Sequence, residues 1–168
     1  MTIVRSLHGR CCLVGLLAVA AFTSGTVAQA PIKKAEQSKI ANSEPAAQHK
    51  VAIQVNQNDK SVMDLALNNV RNIVEYYKEK GESVAIEVVA YGPGLHMLRS
   101  DTSPVKERIA PMALENPNIA FIACGNTQAN QSKAEGKPVT LLSEAKVVPS
   151  GVVRLIELQK QGWAYIRP

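Results

Sequence analysis

Short apolar segments alternate with amphipathic or polar stretches from about residue 50 to the end of the chain. The apolar segments have the length of strands and span 51–55, 84–90, 119–123, 146–148 and 163–166. Strands that are continuous apolar runs, and that alternate with helices, are typical of parallel sheets covered on both faces. The pattern therefore predicts an α/β fold, a three-layer α/β/α sandwich with a mostly parallel five-stranded sheet. It does not predict the order of the strands.

Capping signals predict where the helices begin. Ser61 and Asp64 resemble a capping box, and Ser103 followed by Pro104 is a typical helix start. We expect residues 124–127 to form a turn, followed by a short polar helix over 128–135. Pro149, Ser150 and Gly151 are expected to start a further helix. The helix after Pro104 is expected to bend at Pro111 and to carry its apolar residues at Val105, Ile109, Met112 and Leu114.

The first residues have the layout of a secretory signal. Arg5 and Arg10 form a positive region, 11–22 is apolar, and small residues end at Ala28. An apolar run of this length is shorter than the roughly 20 residues of a membrane span. We therefore expect cleavage after Ala28, a periplasmic location and no stable membrane insertion after cleavage, with an uncleaved anchor as the alternative.

The predicted domain organisation follows from the composition after the leader. Residues 1–28 are the signal peptide, and 29–48 form a polar, Ala-rich flexible arm without a sustained apolar period. A single domain occupies 49–168.

Charge and motifs exclude several function classes. The formal net charge of +5 is small, and Arg5 and Arg10 in the leader contribute to it, so we expect no nucleic-acid partner. There is no CxxC or HxxxH spacing and no nucleotide-binding fingerprint. We therefore predict neither a metal site nor a cofactor.

Cys124 is the candidate for covalent chemistry. The other two cysteines, Cys11 and Cys12, lie in the leader, so no disulfide can form within the mature chain. Cys124 closes the third predicted strand just before a helix, and the N-terminus of a helix favours a thiolate. Gly125 allows close approach to the sulfur, and the next two residues, Asn126 and Thr127, could cap the helix or bind an anion. A small buried hydrophobic side chain is the alternative role for Cys124.

Further binding residues are expected in the loops at the carboxyl ends of the strands, where ligands bind in open parallel sheets. These are Asn56, Gly92, Gly94, His96 and Ser150. His96 could act as an acid or base, or stabilise a sulfur anion, and the alternative is an exposed loop residue or a helix cap.

Four motifs in order carry a resemblance to a known family. They are 91–95 (YGPGL), 123–127 (ACGNT), 147–152 (VVPSGV) and 162–168 (GWAYIRP). Together they resemble the DsrE/DsrF-like family of sulfur-oxidation and sulfur-relay proteins over about 50–168. The resemblance implies a flavodoxin-like sandwich, a homo-oligomer (trimer or hexamer) and a cysteine that carries sulfur as a persulfide, a role that maps onto Cys124.

Two functions are therefore expected. The first is a periplasmic sulfur carrier or sulfurtransferase-like protein that takes up sulfane sulfur on Cys124 from an unidentified donor and passes it to an unidentified acceptor. Carrying a group between partners does not require independent turnover, so enzyme status stays open. The alternative is an oligomeric small-ligand-binding or interaction module without covalent chemistry.

Overall fold

The computed structural model describes residues 47–168. The predicted signal peptide and all but the last two residues of the predicted arm lie outside the described residues. The last of them, Gln48, is tied to the domain because its backbone N–H donates to Ser83 Oγ at 3.2 Å and its Oε1 accepts from the Ser83 N–H at 3.1 Å.

The elements in chain order are β1 (His49–Val55), α1 (Lys60–Glu79), β2 (Val84–Ala90), a 3₁₀ helix (Gly92–Leu98), α2 (Lys106–Glu115), β3 (Ile119–Cys124), α3 (Gly125–Glu135), β4 (Ala145–Val148), α4 (Gly151–Lys160) and β5 (Ala164–Ile166).

The five strands form one sheet in the order β4-β3-β2-β1-β5, and every neighbouring pair is parallel. Helices flank this sheet, so the predicted α/β fold is confirmed as a three-layer, flavodoxin-like sandwich. The sheet was predicted to be mostly parallel, and in the structure all five strands are parallel.

The strand order explains which helix covers which face. From β1 to β4 the chain steps across the sheet in one direction, and α4 then carries it back to β5 beside β1. Because parallel crossovers are right-handed, a reversal of direction places the connecting helix on the opposite face. The helices α1 and α2 therefore pack on one face and α4 on the other.

The two faces bury very different cores. The α1 and α2 face holds the larger cluster, which includes Ile53, Leu67, Ile86, Ile109 and Phe121. The α4 face holds a small cluster of Ala52, Val89, Ile122, Leu155 and Leu158. Large apolar side chains remain exposed on α4 and on the two edge strands: Val147, Val152, Val153, Ile156 and Tyr165. The second face is thus only partly covered within one chain.

Several predicted boundaries need correction. The cap of α1 is Asp59, whose Oδ1 accepts from the Ser61 N–H at 2.7 Å, and the predicted capping box at Ser61 is wrong. The helix predicted after Ser103 begins only at Lys106, because Ser103 is buried and its hydroxyl donates to the Met97 carbonyl. Leu114 was expected on the apolar face of α2, yet it is 86% exposed.

Two local predictions around the carboxyl edge also differ. The segment after β2 was expected to be a loop and is instead a 3₁₀ helix whose side chains Leu95, Met97 and Leu98 are buried. The expected turn over 124–127 is absent, because Cys124 is the last residue of β3 and α3 begins at Gly125. The strand therefore passes directly into the helix.

Candidate functional site

The ends of β3 and β4 form the point at which the chain changes faces. These strands are neighbours, with Cys124 opposite Val148 at their carboxyl ends. The helix after β3 lies beside the 3₁₀ helix, whereas the helix after β4 packs on the opposite face. In open α/β sheets the crevice between two such departing connections is where ligands bind. The fold therefore places Cys124 at the topological switch point.

Cys124 is buried at this point, with 5% of its surface exposed. Burial alone raises the pKa of the thiol, since it disfavours the charged form. The nearby Thr127 hydroxyl and the backbone N–H groups at the starts of α3 and α4, including that of Gly151, favour the thiolate and outweigh this effect, so the pKa of Cys124 is lowered. The sulfur is thus supported by the first turns of two helices, α3 and α4.

The contribution of α4 depends on Gly151. A Cβ at this position would lie 3.1 Å from Tyr91 Cβ, 3.2 Å from Cys124 Cβ and 3.3 Å from Val89 Cγ1. A side chain would therefore keep the first turn of α4 away from the thiol. Sequence reasoning named the neighbouring Ser150, which precedes α4 but makes no side-chain capping bond, and it missed Gly151. Its place just after Pro149 and Ser150, at the start of a helix, is the signal that could have found it.

The predicted residues Gly125 and Asn126 join the two helix starts. A Cβ on Gly125 would lie 3.1 Å from the Val148 carbonyl oxygen, so the close approach of α3 to β4 favours glycine. The Asn126 N–H donates to the Pro149 carbonyl at 3.1 Å, while its side chain is exposed. The backbone of Asn126, rather than its amide group, therefore belongs to the site.

Thr127 and Gly92 are brought together beside the sulfur. The Gly92 N–H donates to Thr127 Oγ1 at 3.0 Å, and Gly92 has a positive φ of 53° that favours glycine. A hydroxyl has one proton to donate. Because the oxygen accepts from Gly92, that proton is free to point at Cys124.

Gly94 and Asn56 shape the neighbouring loop. A Cβ on Gly94 would lie 2.3 Å from the Val55 carbonyl oxygen, which the 3₁₀ helix crosses closely. Asn56 lies near Tyr91, whose pKa is raised by burial and by the neighbouring Tyr165, an effect that Arg167 and Asn56 oppose. Tyr91, which sequence reasoning did not include, flanks Gly151 and so lines the Cys124 site from β2.

His96 belongs to an adjoining groove. Its Nδ1 is 2.8 Å from Thr102 Oγ1. The groove has a volume of about 460 Å³ and is lined by Asn58, Gly92, Pro93, His96, Thr127, Asn130, Gln131 and Ala134. Thr127 is thus the residue shared by the groove and the thiol site.

Other kinds of site were sought in the same part of the chain. Within residues 47–168, no group of three or more His, Cys, Asp or Glu side chains is arranged to hold a metal ion. None of the helices described there is both long and apolar enough to cross a bilayer.

Comparison with known proteins finds a similarity to an archaeal protein. No protein-family model and no curated protein matches it. Among solved structures, it is similar to MTH1491 from Methanobacterium thermoautotrophicum, described as a protein of unknown function. The two are 36% identical over 71% of this chain and 99% of the archaeal chain, with a TM-score of 0.61. The chain therefore belongs to the same protein family as MTH1491.

Proposed function

We propose that the protein is a periplasmic sulfur carrier or sulfurtransferase-like protein that takes up sulfane sulfur on Cys124. One observation carries the proposal: the N-terminal turns of two helices lie beside the same buried cysteine, because Cys124 directly precedes α3 and Gly151, the first residue of α4, packs against it. Helix N-termini favour anions, and the thiolate is the nucleophilic form of cysteine. A persulfide is an anion in the same place and would be stabilised by the same donors.

The chemistry balances with thiosulfate as donor. The Cys124 thiolate attacks the outer sulfur, a new S–S bond forms on the protein, the S–S bond of thiosulfate breaks, and the electron pair leaves with sulfite. An acceptor thiolate then attacks the outer sulfur of the persulfide and regenerates the Cys124 thiolate. Neither step requires an oxidant or a reductant. We leave open whether the protein turns over alone or only passes sulfur between partners.

Intact mass measurement tests the proposal. The folded protein is incubated with thiosulfate or polysulfide, and we expect a mass gain of one sulfur atom that dithiothreitol removes. Cys124→Ser is the control and should gain nothing while remaining folded. A folded protein that gains no sulfur, with a thiol that is alkylated only after denaturation, would contradict the proposal and favour a buried structural cysteine.

A second candidate is a small-ligand-binding module without covalent chemistry. The groove beside Cys124 favours it, because Asn58, Thr127, Asn130 and Gln131 line it with uncharged polar groups. If Cys124 gains no sulfur, ligand-induced shifts in the NMR signals of these residues would support this alternative.

The proposal also includes the oligomeric state and the cellular location of the protein. The exposed Val152, Val153 and Ile156 on α4 lie on the thinly covered face, which supports a homo-oligomer, a trimer or hexamer. Light scattering that gave a monomer at tens of micromolar would contradict it. The proposed periplasmic location rests on the leader pattern, and N-terminal sequencing of the exported protein should begin near Gln29.

A further inference from the structure

The helix α3, which begins directly after Cys124, buries no apolar side chain. None of the residues of α3 is buried, and its sequence, GNTQANQSKAE, contains only alanine as an apolar residue. Helices in proteins are usually held by burying an amphipathic face. Something other than hydrophobic packing must therefore set the position of α3 against the sulfur.

One stripe of polar side chains on α3 faces the 92–101 segment, which comprises the 3₁₀ helix and the three residues after it. Thr127, Gln131 and Glu135 are spaced four residues apart and so share a helix face. Thr127 Oγ1 accepts from the Gly92 N–H at 3.0 Å, and Gln131 Nε2 donates to the Gly92 carbonyl at 3.3 Å. Arg99 donates to Gln131 Oε1 at 3.2 Å and to both carboxylate oxygens of Glu135, the longer of these two bonds being 2.9 Å.

A second pair of side chains ties α3 to the chain that follows it. Gln128 Nε2 donates to the Val139 carbonyl at 2.8 Å, and the Val139 N–H donates to Ser132 Oγ at 2.9 Å. These bonds hold the helix to its own connection, whereas the first stripe holds it to the segment that carries Gly92.

Arg99 is buried in the 92–101 segment and binds the C-terminal end of the first stripe. It is 1% exposed, and its Nε and Nη2 donate to Asp101 at 2.9 and 2.7 Å. The Arg99 hydrogen bonds lower the pKa of Asp101 to about 2 and lower that of Glu135, so both partners are charged at neutral pH. A planar guanidinium can bind two carboxylates at once, which an ammonium cannot do in the same geometry.

We propose that Arg99 is a positioning residue for Cys124: it clamps the C-terminal end of α3 to the 92–101 segment and thereby fixes the first turn of α3, with the Thr127 hydroxyl, on the sulfur. The inference rests on the proposed role of Cys124 as sulfur acceptor. The signal that could have indicated Arg99 in the sequence is weak, because Arg99 and Glu135 are 36 positions apart.

The test is the pH dependence of Cys124 alkylation in the folded full-length protein. In Arg99→Lys and in Glu135→Gln we expect the apparent pKa of the thiol to rise, and alkylation at pH 7 to slow about three- to tenfold, since fewer molecules carry a thiolate. Arg108→Lys is the matched control. Arg108 makes a comparable two-partner contact with Asp64 and Asn68 between α1 and α2, away from the thiol, so its profile should equal that of the parent.

A double variant tests the route of the effect. If Arg99 acts partly through the Thr127 hydroxyl, Glu135→Gln should shift the thiol pKa less in a Thr127→Val background than alone. Additive shifts would show that the clamp acts only through the backbone of α3, which still supports the positioning role.

Several outcomes would overturn the proposal. Unchanged alkylation profiles in folded Arg99→Lys and Glu135→Gln would do so, as would an equal shift in Arg108→Lys, which would indicate general loosening. If Arg99→Lys fails to fold, Glu135→Gln decides alone, because this carboxylate is 32% exposed and its replacement keeps an acceptor. Sulfur loading is measured separately, so a parent that gains no sulfur but shows these shifts would refute the proposed function and leave the positioning role standing.

Discussion

The two helices that meet at Cys124 are of nearly equal length and are held in opposite ways. The eleven-residue α3 buries none of its residues and is attached by hydrogen bonds to the 92–101 segment and to Val139. The ten-residue α4 buries Leu155 and Leu158 against β1, β2 and β3. It also carries an ion pair between Arg154 and the buried Glu87, but its apolar contacts would remain without that pair.

Because of this difference, the polar groups that α4 places near the thiol are held more firmly than those of α3. Apolar packing tolerates small shifts and does not depend on protonation, so the Gly151 N–H is held firmly. Hydrogen bonds and ion pairs depend on direction and charge. The donors from α3 are therefore the ones that a ligand, a partner or a single substitution can change without unfolding the domain.

The largest expected difference is in stability. Leu158→Ala removes a fully buried side chain and should lower the free energy of unfolding by about 2–5 kcal/mol. Gln131→Ala on α3 removes hydrogen bonds at a partly exposed position and should cost only about 0.5–1.5 kcal/mol. Urea denaturation of both variants measures the contrast. Equal losses would mean that α3 is held as firmly as α4.

Gly151→Ala should disturb both stability and the thiol. The added Cβ meets Tyr91 and Cys124 at 3.1–3.2 Å, so neighbours must shift, at a cost of about 1–3 kcal/mol. The Gly151 N–H would move away from the sulfur, and the pKa of Cys124 would rise. Alkylation against pH, combined with urea denaturation, tests both effects. Ser150→Ala is the control, because Ser150 makes no side-chain capping bond, and it should change neither quantity much.

The contrast between these helices also shows what a sequence can predict. The apolar runs at β1, β2 and β3 reveal the α/β class because most of their residues are apolar and contribute to the signal. The strand order depends on contacts between distant segments, so the switch point at β3 and β4 could not be located. Cys124 could be placed at a strand end by local pattern alone.

The features that sequence reasoning missed have a common cause. The first turn of α3 was read as a turn because Gly125, Asn126 and Thr127 have low helix propensity. The hydrogen bonds that hold α3 come from Gly92 and Arg99, in a segment that precedes it by one helix and one strand. Gly151 resembles an ordinary helix start, and only the packing of α4 shows that it contacts the thiol.

A smaller effect is expected from Thr127. Thr127→Val removes the hydroxyl that lowers the pKa of Cys124 and accepts from the Gly92 N–H, while keeping the size of the side chain. The pKa of Cys124 should rise and alkylation at pH 7 should slow roughly three- to tenfold, since bonds to a charged group are among the stronger hydrogen bonds. Thr127→Ser keeps the hydroxyl and should alkylate at nearly the parental rate. A Val variant as fast as the parent would assign the lowered pKa to the backbone donors alone.

The smallest effect is a pH dependence of stability that belongs to Cys124. Its pKa is lowered in the folded protein by Thr127 and Gly151, against the opposing effect of burial, whereas an unfolded cysteine titrates near about 8.5. Between these two pKa values the unfolded chain binds more protons, so the folded state gains stability as pH rises. The gain is complete above the unfolded pKa and is lost as pH falls through the folded pKa. The free energy of unfolding of the parent minus that of Cys124→Ser isolates this contribution, because the other titrating groups are common to both chains. This difference should increase as the pH rises from the folded pKa to the unfolded pKa of the thiol and level off above it. A difference that stays flat over that range would show that the two helices do not stabilise a thiolate, however they are held.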